Sequence, residues 1–302
     1  MLYRTLGKTG FSVSAVGIET HQWSGRGGLY LREEEAREIL ARARDLGVNF
    51  IDTGECYLYH AAERLIGNAI GADRDKFIIA AKFGHTIREG GVAEGWERSV
   101  VEKELETSLK ALRTDYIDLY QIHVNLPGDG KSIFARSAQI REALDAALKT
   151  GKIRAAGICL GDNSLLDEDG EILRRALREF PLSAVQAVYN RLDRGAEKSI
   201  LPAAAKENLG VIARVPLAKG YLSGRFKPSD AHLKNAFDEE DDRRRRAAAA
   251  EIMTREVPPG ADLAEWAIGW CASREGVATV VPGCTAAAQL DSTARALEYI
   301  HL

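Results

Sequence analysis

No apolar run in this chain of 302 residues approaches the roughly 20 needed to cross a bilayer. The N-terminal stretch MLYRTLGKTGFSVSAVG lacks a long apolar core behind a basic start, so no secretory signal is expected. Cysteine is sparse. Cys56, Cys159, Cys271 and Cys284 lie far apart, with neither a CxxC nor paired histidines nearby. That spacing argues against structural zinc, so no metal site is expected, and it fits a reduced cytoplasmic setting. An excess of either charge is also missing. With 41 basic and 44 acidic residues the net charge is -3, which gives no electrostatic reason for a nucleic-acid or membrane-surface partner. Nor does a GxGxxG follow the first apolar run. GIETHQWSG (17–25) has no such spacing, which weighs against a doubly wound open sheet.

What the chain does have is regular. Eight short apolar or β-branched runs recur: SAVGI (14–18), VNFID (48–52), FIIAAK (77–82), YIDLYQIH (116–123), IRAAGI (153–158), AVQAVY (184–189), GVIARV (210–215) and VATVVP (277–282). Most are near-continuous rather than alternating, as suits parallel strands covered on both faces. Helix-period segments separate them. Ala36, Ile39, Leu40, Ala43 and Leu46 form one apolar stripe, closed by Gly47 as a helix C-cap. Val101, Leu105, Leu109 and Leu112 form another. Eight strand–helix repeats predict a single (β/α)8 TIM-barrel domain over residues 1–302, the length such a barrel needs. Ahead of the first strand, residues 3–13 read as a β-hairpin around a glycine turn, placed to close the barrel bottom. The charged run 238–246 has acids before bases and reads as a solvated helix start.

Four polar residues fall where an apolar barrel interior would make them costly. Asp52, Lys82 and His123 end the second, third and fourth strands, and Tyr57 lies just past the second. All four therefore belong to the C-terminal mouth, where barrel chemistry sits. Strands about 4.8 Å apart let Asp52 pair with Lys82. A Lys ammonium beside the Tyr57 hydroxyl is expected to lower its pKa and make it a proton donor. His123 is expected to donate to a carbonyl oxygen from the other side. Taken singly, each has a plainer role: a helix N-cap for Asp52, packing for Tyr57, a satisfied core position for His123. Their shared placement favours a site. Trp23, Tyr30, Tyr59, His85, Trp96 and Asn125 fall in loops that face the same end, with Trp23 and Trp96 equally suited to loop packing.

At these residues the sequence resembles the aldo-keto reductases. FIDTGECY (50–57) with AERLIGNAI (62–70) is similar to that family's Asp and Tyr motif, AAKFG (80–84) to its Lys motif and DLYQIH (118–123) to its His motif. GKIRAAGI, VQAVYNRLDR, GVIARVPLAKGYLSGRF and VVPGCTAAAQL follow in family order, so the resemblance covers nearly the whole chain. It implies an NAD(P)H-dependent oxidoreductase that reduces a carbonyl or oxidises the alcohol, with Asp52, Tyr57, Lys82 and His123 as catalytic tetrad and neither metal nor flavin. Small-molecule carbonyl or alcohol compounds are the implied partners; substrate identity and oligomeric state are not legible. A redox-neutral barrel, or a regulatory one that binds cofactor with little turnover, is the alternative.

The resemblance also implies cofactor contacts. Gln186 matches the residue that bonds the nicotinamide carboxamide, Cys159 stands where a Ser often assists, and Arg214 holds the place of a stacking aromatic. PLAKGYLSGR (216–225), with Leu217, Lys219 and Arg225, matches the loop around the pyrophosphate. Gly283, Thr285 and Gln289 fit contacts to the adenosine half. NADP(H) is the family default over NAD(H). Here, however, Ala286, Ala287 and Ala288 occupy the stretch where bases often grip a 2′-phosphate, which leaves Arg225 and Arg243–Arg246 as the nearest charges.

Overall fold

The eight apolar runs become eight parallel strands of one sheet, whose neighbours follow chain order throughout. The computed structural model describes residues 1–24, 30–88, 91–125, 128–161, 170–225 and 238–300, with backbone alone for 86–88 and 91–94. A hairpin, β1 (Tyr3–Thr5) and β2 (Ser12–Ser14), precedes the sheet strands β3 (Ile18–Glu19), β4 (Phe50–Asp52) and β5 (Ile78–Phe83). After a short antiparallel ribbon, β6 (His85–Arg88) and β7 (Gly91–Glu94), come β8 (Ile117–Val124), β9 (Ile153–Leu160), β10 (Leu182–Val188), β11 (Gly210–Arg214) and β12 (Val277–Val281). Parallel bridges Val16–Val280 and Glu19–Gly283 join the first and last strands. The sheet therefore curls into a barrel rather than staying open.

One boundary differs from the sequence expectation. Ser14 pairs with Tyr3 in the hairpin instead of starting the first barrel strand. Its N–H goes to Asn49 Oδ1 (2.7 Å) and its hydroxyl to the Val16 carbonyl (2.7 Å), which turns the chain before the barrel begins.

The hairpin plugs the barrel bottom as the sequence suggested. Leu6, Phe11 and Val13 join Phe50, Ala80, Leu119, Ala155, Ala184 and Ile212 in one buried cluster. Gly210 leaves the room for this, since a Cβ there would lie 2.5 Å from Leu6 Cγ. Burying a side chain such as Leu6 contributes about 1.5–3 kcal/mol.

Helices pack outside. α1 (Glu33–Leu46) buries Ala36, Ile39, Leu40 and Ala43 and ends at Gly47 with φ 75°, the left-handed conformation that glycine adopts without strain. α2 (Ala61–Ile70) is followed by α3 (Arg98–Leu112), which buries the predicted stripe Val101, Leu105, Leu109 and Leu112. Then come α4 (Asp129–Ala135), α5 (Ser137–Lys149), α6 (Glu171–Glu179), α7 (Ile200–Lys206), α8 (Glu239–Arg255), α9 (Leu263–Ser273) and α10 (Ala287–Arg295). Asp238 caps α8 by accepting from Asp241 N (2.7 Å), so the charged run is a helix start. It is not wholly solvated, because Asp242 and Arg246 form a buried pair at 3.0 Å. No helix among the described residues is long and apolar enough to cross a membrane.

Side chains alternate along a strand, so one set points into the barrel. Near the hairpin that set is apolar, with Ala80, Leu119, Ala155, Ala184 and Ile212. Two or four residues on it turns polar, with Lys82, Gln121, His123, Cys159, Gln186 and Arg214. This switch defines the functional end.

Candidate active site

Lys82 is the hub of that end. Its ammonium is fully buried and donates to Asp52 Oδ2 (2.6 Å), the Thr53 carbonyl (2.8 Å) and Tyr57 Oη (2.9 Å). Three acceptors satisfy the three hydrogens of an ammonium, which is what a buried lysine requires. The other Asp52 oxygen accepts from Gln186 Nε2 (2.7 Å) and more distantly from Gln121 Nε2 (3.5 Å). Gly54 lets the lysine stem pass, since a Cβ there would lie 3.2 Å from Lys82 Cβ. Asp52, Tyr57 and Lys82, which the sequence singled out, thus meet directly.

The expected lowering of the Tyr57 pKa is not what the surroundings produce. Burial pushes the phenol well above its ordinary value, and the charges of Asp52 and Glu19 push the same way, while Arg214 opposes them. Desolvation of a phenolate and two nearby acids outweigh one lysine. Tyr57 is held as a neutral phenol. The nearby Glu19 carboxyl has its own pKa raised by burial, with Arg214 opposing.

The turn carrying Tyr57 is strained. Leu58, Tyr59 and His60 all have positive φ (51°, 52° and 61°), a conformation costing about 1–2 kcal/mol for each non-glycine residue. A buried clamp holds it. His60 Nδ1 lies 2.5 Å from Glu63 Oε2, its Nε2 3.1 Å from Glu104 Oε2, and its N–H reaches the Glu55 carbonyl (2.9 Å). Burial disfavours a charged His60, but its bonds to Glu104 and Glu63 win and raise its pKa to about 9. Burial raises the neighbouring Glu55 carboxyl to about 8, with Glu104 adding to the effect.

His123 ends β8 on the same interior face. Its Nδ1 lies 3.2 Å from His85 Nδ1 and 3.7 Å from Cys56 Sγ, while its buried Nε2 has no partner. Burial first, then His85, Lys82 and Arg214, keep its pKa well below the ordinary histidine value. The imidazole is neutral.

A cavity of about 110 Å³ opens at this end, lined by Asn125, Gly161, Val188, Arg214, Lys219 and Arg245 among others. A larger one of about 430 Å³ lies by the hairpin, near Arg4, Asn208 and Gly210. The smaller belongs to the candidate site, because it opens past the C-terminal strand ends and Arg214, one of the inward polar set, forms part of its wall.

The residues matched to cofactor contacts scatter more. Gln186 Oε1 accepts from the Cys159 thiol (2.9 Å), so both ends of its amide are engaged by protein groups. The half-buried Arg214 stays charged beside Cys159 Sγ (3.9 Å), since Cys159, Tyr57, Glu19 and Asp52 offset the cost of its burial. Lys219 is exposed at the cavity rim, Leu217 packs against the core, and Arg225 is exposed farther along the loop. Val215, Ala218 and Lys219 have positive φ, so this loop follows a tight path. Gly283 pairs with Glu19, and Thr285 N–H donates to Gln289 Oε1 (2.7 Å). In the arginine run, Arg245 is taken by Asp193 (2.9 Å) and Asp241 (2.8 Å), Arg244 by Asp241 and Arg246 by Asp242. An orphaned buried imidazole nitrogen, and a cavity rim carrying Arg214 and Lys219 besides the Arg245–Asp193 pair, suit a hydrogen-bonding ligand with an anionic part, such as a nicotinamide dinucleotide.

Sequence reasoning missed three participants, Glu19, Gln121 and Asp129. Glu19 escaped because the first strand was ended one residue early; the strand-end criterion that found Asp52 would have found it. Gln121 lies two residues before His123 and shares its inward face. His85 was placed near the pocket but without its partner Asp129, which sits six residues beyond His123 and is completely buried. Trp23 and Trp96 prove to be packing residues. The Trp23 indole donates to the Cys284 carbonyl (2.6 Å), and Trp96 fills the space beside Gly84. No cluster of three metal-ligating side chains occurs among the described residues.

Residues 16–302 match the model of the aldo/keto reductase family. An aldo-keto reductase from Bacillus halodurans, solved in its holo form, superimposes with TM-score 0.81 at 26% identity, over 99% of this chain and 91% of that one. A glycerol dehydrogenase from Gluconobacter oxydans does so with TM-score 0.78 at 25% identity, over 95% and 87%. A Schizosaccharomyces pombe protein named as an NADP(+) aldo-keto reductase is 31% identical over 205 residues, 66% of this chain and 56% of its own length.

Proposed function

Because this chain belongs to the aldo/keto reductase family and is an NAD(P)H-dependent oxidoreductase, we propose that it reduces an aldehyde or ketone, or oxidises the alcohol, with Tyr57 as general acid and base. The observation that carries this reading is the fully buried Lys82 ammonium bound to Asp52 and Tyr57 together. When bound, the nicotinamide supplies or accepts a hydride.

The chain's own groups manage the proton. Tyr57 is a neutral phenol and so holds a hydrogen to give. As that hydrogen leaves, the phenolate forms 2.9 Å from the Lys82 ammonium, where a charge-assisted bond stabilises it most. Asp52 fixes Lys82 in direction through its 2.6 Å bond. The lysine thus acts through the phenolate that develops during reaction, not through a resting phenolate. His123 presents its unpartnered Nε2 to the oxygen-bearing end of the substrate.

Gln186, Cys159 and Arg214 would hold the nicotinamide end. Leu217, Lys219 and Arg225 would hold the pyrophosphate, and Gly283, Thr285 and Gln289 the adenosine. NADP(H) is the proposed cofactor over NAD(H), in keeping with the named relative and with Arg214 and Lys219 at the cavity rim. A screen of carbonyl compounds with NADPH and NADH, followed by loss of reduced-nicotinamide absorbance, tests the activity. Tyr57→Phe keeps the ring and removes the proton, and should lower turnover roughly 100-fold or more while sparing cofactor binding. Near-normal turnover in that variant would overturn the assignment.

A further inference from the structure

Arg214 brings a positive charge to the end of the site proposed for the nicotinamide. That end must take the ring in two charge states, neutral when reduced and cationic when oxidised. Around it Tyr57 and His123 are neutral, and Asp52 is joined to Lys82 in one ion pair. An unbalanced guanidinium there would tolerate the neutral ring and repel the cationic one, the more strongly because little water is left to screen it.

Glu19 is placed to supply the counter-charge. It ends β3 in register with Asp52, so its side chain points into the barrel as that of Asp52 does. Arg214 ends β11 in register with Val281 of β12, which belongs to the inward-facing cluster. Only β12 separates the two, and its residue level with Glu19 is Gly283, which carries no side chain. Strands about 4.8 Å apart set the two backbones about 10 Å from each other, a span that an inward glutamate and arginine cover together. Both residues are half-buried, so their charged ends lie at the open mouth. Their charges are coupled. Burial raises the Glu19 pKa and Arg214 is the first group to oppose it, ahead of Asp52, Lys82 and Tyr57. The Glu19 charge also acts on Arg214, on Tyr57 and on the Cys159 thiol. The acid therefore stands among the groups assigned to the nicotinamide.

We infer that Glu19 is a positioning residue of the cofactor site, acting through Arg214, whose carboxylate balances the guanidinium so that the barrel mouth accepts the cationic ring of the oxidised cofactor as well as the neutral ring of the reduced one. This rests on the oxidoreductase reading above and adds to it what sets the preference between redox forms. The consequence reaches the reaction's driving force. By linkage, whatever tightens the oxidised form relative to the reduced one makes the bound reduced cofactor a stronger hydride donor. Glu19 pushes that balance towards carbonyl reduction and Arg214 pushes it back.

Binding alone tests this, without turnover. Calorimetric titration of the intact protein with NADP+ and with NADPH at pH about 8 gives the ratio of their Kd values, and NAD+ with NADH serves equally if that pair binds more tightly. Glu19→Gln keeps the shape and removes the charge. It should raise the oxidised-to-reduced Kd ratio at least roughly 10-fold, chiefly by weakening the oxidised form, the scale of one charge acting across a poorly solvated site. Glu19→Asp restores the charge and should stay within about 3-fold of the wild-type ratio. Arg214→Met should move the ratio the other way. An unchanged ratio in folded Glu19→Gln, or an equal shift in Glu19→Gln and Glu19→Asp, would overturn the inference while leaving the oxidoreductase reading intact. Should Glu19→Gln not fold, an unmoved ratio in Arg214→Met would overturn it instead. Failure of the wild-type protein to bind either nucleotide pair would strike the oxidoreductase reading and this inference together.

Discussion

Replacing His60 by Gln removes a cation from between two carboxylates while keeping a hydrogen-bond donor of similar reach. In the folded protein His60 titrates at about 9, against an ordinary 6.5. At about 1.4 kcal/mol for each pH unit, that difference is worth about 3 kcal/mol of stability. Its sign is fixed by the direction of the shift. A histidine with a raised folded-state pKa contributes fully below about pH 6.5 and loses the contribution as pH rises through about 9. Glu55 stays protonated up to about 8, so through most of that window His60 is the group set between the Glu63 and Glu104 carboxyls. His60→Gln should therefore unfold in urea about 3 kcal/mol more easily at pH about 6, with a deficit that shrinks below about 1 kcal/mol by pH about 9.5. Because the clamp also restrains the three left-handed residues after Tyr57, kcat should fall in the same variant. Urea titrations of both proteins at three pH values decide it. A deficit that stays constant across the range would refute the charged clamp.

Three other outcomes follow from the geometry. Lys82→Met leaves the Asp52 carboxylate buried with only amide donors, and should cost about 3 kcal/mol in urea unfolding besides abolishing turnover. Gly84→Ala forces a side chain at φ 120° and puts its Cβ 2.1 Å from the Trp96 ring, so the melting temperature should drop by more than 5 °C or so and the indole fluorescence should change. Cofactor discrimination should be modest. With Arg244, Arg245 and Arg246 already paired and no base at 285–289, NADPH should bind at most about 100-fold tighter than NADH, about 2.8 kcal/mol, when both are titrated by tryptophan quenching. A much larger ratio would mean that another base meets the phosphate.

The barrel was legible because each run that makes a strand is apolar for a single reason, burial on both faces. Asp52, Lys82 and His123 were legible as violations of that rule, each a polar residue at the end of an apolar run. Glu19 breaks the same rule, yet a two-residue strand is too short for its end to be placed from sequence. Asp129 could not be seen at all. It lies in a glycine-rich stretch where an acid looks solvated, and only the return of α4 under the barrel rim buries it against His85. Tyr57 shows a different limit. Sequence reports which charges are near, whereas the direction of its pKa depends on how much water the fold removes.

The barrel closes on few bonds. Between β3 and β12 the joint consists of Gly17 N–H to the Val280 carbonyl (2.8 Å), Val280 N–H to the Ala15 carbonyl (3.0 Å) and Glu19 N–H to the Pro282 carbonyl (3.0 Å). Neighbouring strands such as β8 and β9 instead run in register over Ile117–Val124 and Ile153–Leu160. Such a joint is the place where amide hydrogens of the barrel exchange with solvent soonest, ahead of global unfolding. Glu19 at one lip lies near enough to Tyr57 for its charge to raise the phenol's pKa, and Gly283 at the other begins the segment proposed to hold adenosine. A dinucleotide laid across both lips would act as a staple, slowing exchange at Gly17, Glu19 and Val280 more than in the β8–β9 pair. Ligand occupancy and barrel closure would then be two readings of a single equilibrium.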